Sequence, residues 1–216
     1  MKIKLFLFSA LFCLMGLTAL ADDAPKIEVF GGYSYLRFNP TLPGIQNRSF
    51  NGGGGGVTFN LNNYFGIKAE LMGYGSTNYT IPAGTTIPGV TPPAVTTAPI
   101  TTQGNMFTYL FGPQVTYRTS KFNAFGELLF GGSNSNGYAN VAEAFNGVGA
   151  NIAGGTQHPF TMAFGGGLDI KVAKNIAIRP VEIDWVLTRY TNPITLTNNQ
   201  NCFRYVAGVV FYLGGK

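Results

Sequence analysis

The residues of this chain best suited to acid–base or ion chemistry are Lys68, Glu70, Arg118, Glu127, Glu182, Asp184 and Arg204. Lys68 and Glu70 lie two apart, as do Glu182 and Asp184, so on an extended strand each couple projects from one face. Carboxylates interleaved with cations suit a proton or ion path, a structural ion-pair network, or paired acid–base catalysis. Glycoside cleavage needs two carboxylates flanking a substrate cleft, which a side-chain-filled interior does not offer. The rest of the chemical inventory is thin. His158 is the only histidine, Pro159 follows it, and no serine lies within the next twenty residues, so a hydrolytic triad is not expected. His, Cys and carboxylates are not clustered as metal ligation requires, and no metal or other cofactor is expected. Gly52–Gly56 is a run of five glycines without the Lys-Ser or Lys-Thr of a phosphate-binding loop. In a strand such a run predicts sharp curvature. The chain reads as a non-enzyme.

These side chains must be positioned by strands. After the first twenty-odd residues the chain offers no convincing amphipathic helix; Tyr138 to Phe145 comes nearest, but it is short and followed by Asn146-Gly147. Eight segments alternate instead: 26–37, 50–61, 65–76, 105–118, 122–133, 159–172, 176–190 and 202–213. Three connections are tight: Asn62-Asn63-Tyr64, Thr119-Ser120-Lys121 and Ala173-Lys174-Asn175. Asn and Ser suit turns because their side chains bond nearby backbone. The other four connections, 38–49, 77–104, 134–158 and 191–201, are long. Four hairpins with short turns at one end and long loops at the other predict an all-β, up-and-down transmembrane barrel of eight antiparallel strands. The first strand should pair with the last, since an open edge is untenable in lipid.

Parity assigns the faces. Phe107, Tyr109, Phe111, Val115 and Tyr117 share one parity, as do Phe160, Met162, Phe164, Leu168 and Ile170, and Phe203, Tyr205, Val209, Phe211 and Leu213. The opposite parity holds Thr108, Gln114, Arg118, Asp169, Lys171 and Arg204. A soluble barrel would carry the same alternation with its apolar set inside. Three features favour lipid outside: aromatics near strand ends, a charged fraction of 11%, and no charge at all across residues 71–117. Soluble surfaces carry more charge than this. The interior of eight strands is just wide enough for side chains to fill, so the seven charged residues are expected to form a lumen network.

Residues 1–21 read as a cleavable signal peptide: Lys2 and Lys4, an apolar run from Leu5 to Leu20, then Ala19-Leu20-Ala21 before Asp22-Asp23. Residues 22–216 form one domain. Cys202 would be the only cysteine left after cleavage, so no intrachain disulfide is expected. Net charge is +5, and losing Lys2 and Lys4 leaves +3. The basic residues are scattered, so nucleic acid is not an expected partner. Loop 77–104 is rich in Pro and Thr and uncharged. Its composition favours extended, polyproline-like chain and makes it the candidate site for a surface ligand or polysaccharide.

The hairpin layout, the opening Ile27-Glu28-Val29-Phe30-Gly31-Gly32-Tyr33-Ser34-Tyr35 and the segment Arg179-Pro180-Val181-Glu182-Ile183-Asp184-Trp185 resemble the eight-stranded outer-membrane barrel family, the OmpA-like transmembrane domain and its relatives. The resemblance spans residues 26–213. It implies a monomer in the cell outer membrane, in contact with outer-membrane lipid and lipopolysaccharide and inserted by the barrel assembly machinery. Two features depart from the pattern: no peptidoglycan-binding domain follows the barrel, and the chain ends on Lys216 rather than a terminal aromatic. The expected role is structural or surface-interacting, with a narrow porin-like channel for small solutes as the alternative.

Overall fold

The protein is seen here in a computed structural model that describes residues 24–39, 47–87, 94–147, 154–191 and 198–214. The expected signal peptide 1–21, residues 88–93 of the Thr/Pro segment and Lys216 lie outside the described residues. The strands are β1 (Ile27–Phe38), β2 (Arg48–Asn60), β3 (Phe65–Ile81), β4 (Thr86–Ile87), β5 (Ala94–Val95), β6 (Ile100–Arg118), β7 (Phe122–Ser135), β8 (Phe160–Ala173), β9 (Ile176–Thr188) and β10 (Gln200–Leu213). All but β4 and β5 close into an antiparallel barrel in the order β1-β10-β9-β8-β7-β6-β3-β2. Closure runs from Ile27 opposite Leu213 to Arg37 opposite Phe203, so every barrel strand has two neighbours, as lipid demands.

The tight turns are held by side chains. Asn62 Oδ1 accepts from the Tyr64 and Phe65 amides, both at 2.8 Å. Thr119 Oγ1 accepts from the Lys121 and Phe122 amides at 3.3 and 3.0 Å. These local bonds lock the β2–β3 and β6–β7 pairs, which begin at that end.

The surface is inverted relative to a soluble protein. Leu71, Phe111, Tyr117, Phe164, Trp185 and Phe211 are exposed on the outside, whereas Lys68, Glu70, Glu127, Glu182, Asp184 and Arg204 are buried inside. A contiguous apolar belt around a charged core is what lipid selects, so the wall spans a membrane. The glycine run lets β2 approach β3 closely. A Cβ on Gly52 would collide with the Gly73 carbonyl oxygen, and one on Gly54 with that of Leu71.

Two elements differ from the sequence reading. Gly137–Asn146 forms a helix, α1, where none was expected. Tyr138, Val141, Ala142 and Phe145 are among its buried residues, at the spacing of one helical face. So short a helix is marginal by itself; packing of that face over the barrel mouth stabilises it. The second difference is the Thr/Pro segment, which is not a bare extended loop. β3 and β6 keep pairing past a bulge at Tyr74/Thr77, up to Ile81 opposite Ile100. Beyond them Thr86 pairs with Val95 and Ile87 with Ala94. β-Branched Thr and Ile favour the pleated ladder even though the apolar alternation lapses there.

Candidate functional site: a charged plug under an aromatic lid

The lumen is filled at mid-height by one ion-pair network. β3 supplies Lys68 and Glu70, β7 Glu127, β9 Glu182 and Asp184, and β10 Arg204, all pointing inward. Lys68 Nζ lies 2.9 Å from Glu70, 2.9 Å from Glu127 and 3.3 Å from Glu182. Arg204 pairs with Glu70, and with Asp184 at 2.8 Å and Glu182 at 3.4 Å. Each of these side chains is at most 2% exposed. Charges so buried persist only when paired.

Arg118 stands apart from this cluster. It lies near the short-turn mouth, where Nη2 is 2.7 Å from Glu28 Oε1 and Nε donates to the Asn63 carbonyl at 3.1 Å. The end of β6 is too far down the barrel for the mid-lumen carboxylates. Arg179, absent from the expected set, joins the network instead. Its guanidinium bridges Asp169 at 2.6 Å and Glu182 at 2.6 Å. It also lies between the rings of Phe30 and Phe125, 4.5 and 4.2 Å from their centroids.

Strict alternation hides Arg179, since it has the opposite parity to Glu182. A bulge resolves this. Gly208 faces Arg179 while Val206 faces Glu182, so β9 carries one more residue than β10 there. The extra residue turns both Arg179 and Glu182 inward. Pro180 was the available signal, because a residue without an N–H inside a strand marks such an irregularity.

Contrary to the expectation that carboxylates would not cluster, the closed barrel brings three carboxylate oxygens, from Glu70, Glu127 and Glu182 on three separate strands, within 4.8 Å of one another, a spacing that suits a metal ion. The Lys68 ammonium contacts all three at 2.9–3.3 Å and already supplies the cation. His158 is exposed in the segment before β8, and Cys202 is a buried free thiol.

Above the plug the lumen turns apolar. Phe38 meets Phe50 edge-on at 6.0 Å and Tyr190 at 6.2 Å, and Tyr138 of α1 lies 5.8 Å from Tyr190. Phe50 continues to Tyr74 at 6.4 Å, whose hydroxyl shares a 2.9 Å hydrogen bond with Ser34. Burial pushes the Tyr190 hydroxyl above its ordinary value and keeps it neutral. The void between Phe38, Phe50, Met106 and Tyr138 measures about 10 Å³, room for about one water.

No protein-family model matches the sequence, and no curated protein matches it. Among solved structures it is similar to Neisserial surface protein A, with a TM-score of 0.55 at 9% identity over 87% of this chain and 97% of that one. This chain has the fold of the eight-stranded outer-membrane β-barrels. It is also similar to the outer membrane protein OprG from Pseudomonas aeruginosa, with a TM-score of 0.50 at 11% identity over 90% and 99% of the two chains. At such identities the likeness of this barrel to the two structures is one of fold alone.

Proposed function

We propose that the chain is a non-enzymatic, non-conducting integral protein of the cell outer membrane whose barrel anchors a surface-binding arm. The observation that carries this reading is the lumen, blocked by the ion-pair plug and again by the aromatic lid. With 1–21 removed on export, residues 22–216 would serve as a monomeric barrel delivered by the barrel assembly machinery, short turns facing the periplasm. Arg37 and Arg189 are exposed at the long-loop rim and Arg48 is half-buried there, where guanidinium groups suit the phosphates of lipopolysaccharide.

The uncharged hairpin beyond Ile81 and Ile100 is the candidate binding element. Thr96 Oγ1 donates to the Pro82 carbonyl at 2.8 Å and accepts from the Thr85 amide at 3.0 Å. Thr80 and Thr101 hydroxyls meet across the ladder at 3.3 Å. A hydroxyl-rich, uncharged arm suits a polysaccharide better than a strongly charged partner, and the pairing of Thr86–Ile87 with Ala94–Val95 lowers the entropic cost of binding there.

The alternative, a narrow channel for small solutes, draws on one observation. Asp169, Glu70, Glu127, Glu182 and Asp184 outnumber Lys68, Arg179 and Arg204 in the plug, so an opened lumen would prefer cations. Planar-bilayer recording of the purified mature chain tests the two. The closed reading expects no discrete conductance; steady cation-selective steps, altered in Glu127→Gln or Arg204→Gln, would replace it with the channel. The arm is tested by replacing 83–98 with Asn-Gly. Polysaccharide binding by cells displaying the protein should disappear while the barrel still assembles, and retained binding would refute the arm's role.

A further inference from the structure

The short-turn mouth holds a second polar site, away from plug and arm. A pocket of about 370 Å³ opens between the β2–β3 turn, the β6–β7 turn and the end of β8, with Tyr64, Arg118, Ser120 and Lys171 among its walls. Arg118 and Lys171 belong to the lumen-facing parity, so the pocket faces the aqueous mouth rather than the lipid belt.

Its charge is unbalanced. Lys26, Arg118, Lys121, Lys171 and Lys174 all lie at this end of the barrel. Among the described residues the nearby acids already have partners: Glu28 is ion-paired with Arg118 and accepts from Asn60 Nδ2 at 2.8 Å, and Asp169 is held by Arg179. Among the described residues Lys171 has no ion pair; its Nζ donates to the Thr119 carbonyl at 2.7 Å, leaving two of three N–H groups. Arg118 lines the same pocket, so an anion entering it would meet the Lys171 ammonium and a guanidinium-bearing wall together.

We propose that this pocket binds a phosphate-class oxyanion. A tetrahedral anion can accept from Arg118 on one wall, Lys171 on another and the Ser120 hydroxyl at the turn. A phosphomonoester carries about −1.5 to −2 charge at neutral pH, matching two adjacent cations better than a single carboxylate does. A soluble phosphate, or the singly charged phosphodiester of a phospholipid headgroup reaching over the rim, supplies the tetrahedral oxyanion acceptors. The site is independent of the long-loop side, so its failure leaves the closed-lumen reading intact.

The test uses the full mature chain in nonionic micelles at low salt, titrated with inorganic phosphate against a chloride control and followed by backbone amide NMR. The D22N/D23N chain is titrated in parallel, because those carboxylates precede Pro25 and would compete. Saturable shifts at Tyr64, Ser120 and Lys171 in either chain, weakened roughly tenfold or more by Lys171→Gln as loss of a charge-assisted bond implies, support the site. Arg118→Lys, which keeps the charge and its Glu28 partner but not the guanidinium fork, should weaken binding while the remaining spectrum holds. Dihexanoyl phosphatidylglycerol separates the sources: competition with phosphate at the same amides assigns a headgroup, and none assigns a soluble phosphate. Saturation in neither chain, insensitivity to Lys171→Gln, or shifts only with the lipid would overturn the proposal.

Discussion

Replacing Lys68 by Met leaves a side chain of similar length but no charge at the centre of the plug. The ammonium is within 3.3 Å of Glu70, Glu127 and Glu182, and its side chain is only 2% exposed. Removing one partner of a buried pair typically costs about 3–5 kcal/mol, because the remaining charge is stranded. Arg204 and Arg179 still contact Glu70 and Glu182. Glu127 loses most: its other cation, Arg204, is 3.9 Å away. We therefore expect a loss of about 3 kcal/mol, toward the lower end of that range. Adding Glu127→Gln should recover at least about 1 kcal/mol, the coupling expected of residues in direct contact. The exposed Lys174→Met should cost about 0–1 kcal/mol. The assay is reversible guanidinium unfolding in lipid vesicles, read through Trp185, the single tryptophan and one that faces outward at 60% exposure. If Lys68→Met and Lys174→Met destabilise equally, or the double variant is worse than Lys68→Met alone, the plug is not the electrostatic unit described.

Gly54→Val should block barrel formation, because its Cβ meets the Leu71 carbonyl, whereas Gly31→Ala, with nothing within 4 Å, should fold normally; heat-modifiable gel mobility reports both. Tyr138→Ala should loosen the lid by about 3–5 kcal/mol, the cost of a large-to-small aromatic change, and speed labelling of Cys202, which is 3% exposed beneath it. Unchanged thiol reactivity would show that α1 does not seal the mouth. Thr96→Val, which breaks two hydrogen bonds in the arm, should cost about 1–3 kcal/mol locally and admit protease between 83 and 98 while leaving the barrel's melting unaltered.

The barrel was legible because lipid imposes a period of two on every strand and forbids open edges. That periodicity located eight strands, closed the first on the last and separated outward Phe111 from inward Gln114 without any tertiary information. It also placed Lys68, Glu70, Glu127, Glu182, Asp184 and Arg204 on one face, since like parity points to one side of a pleated sheet. What parity does not carry is height along the barrel axis, which register sets. Register therefore decided that Arg118 meets Glu28 at the short-turn mouth rather than the mid-lumen carboxylates. A bulge at Pro180 reversed the phase of β9 and drew Arg179 into the plug, and only its neighbours β8 and β10 reveal where the extra residue is absorbed. The helix Gly137–Asn146 and the Ile81/Ile100 continuation of the ladder are products of packing and pairing. Ten residues of modest propensity become a helix because an aromatic mouth waits beneath them, and a Thr-rich segment becomes a strand because a partner lies alongside. Local sequence supplies the faces; the closed barrel supplies the partners that make those segments fold.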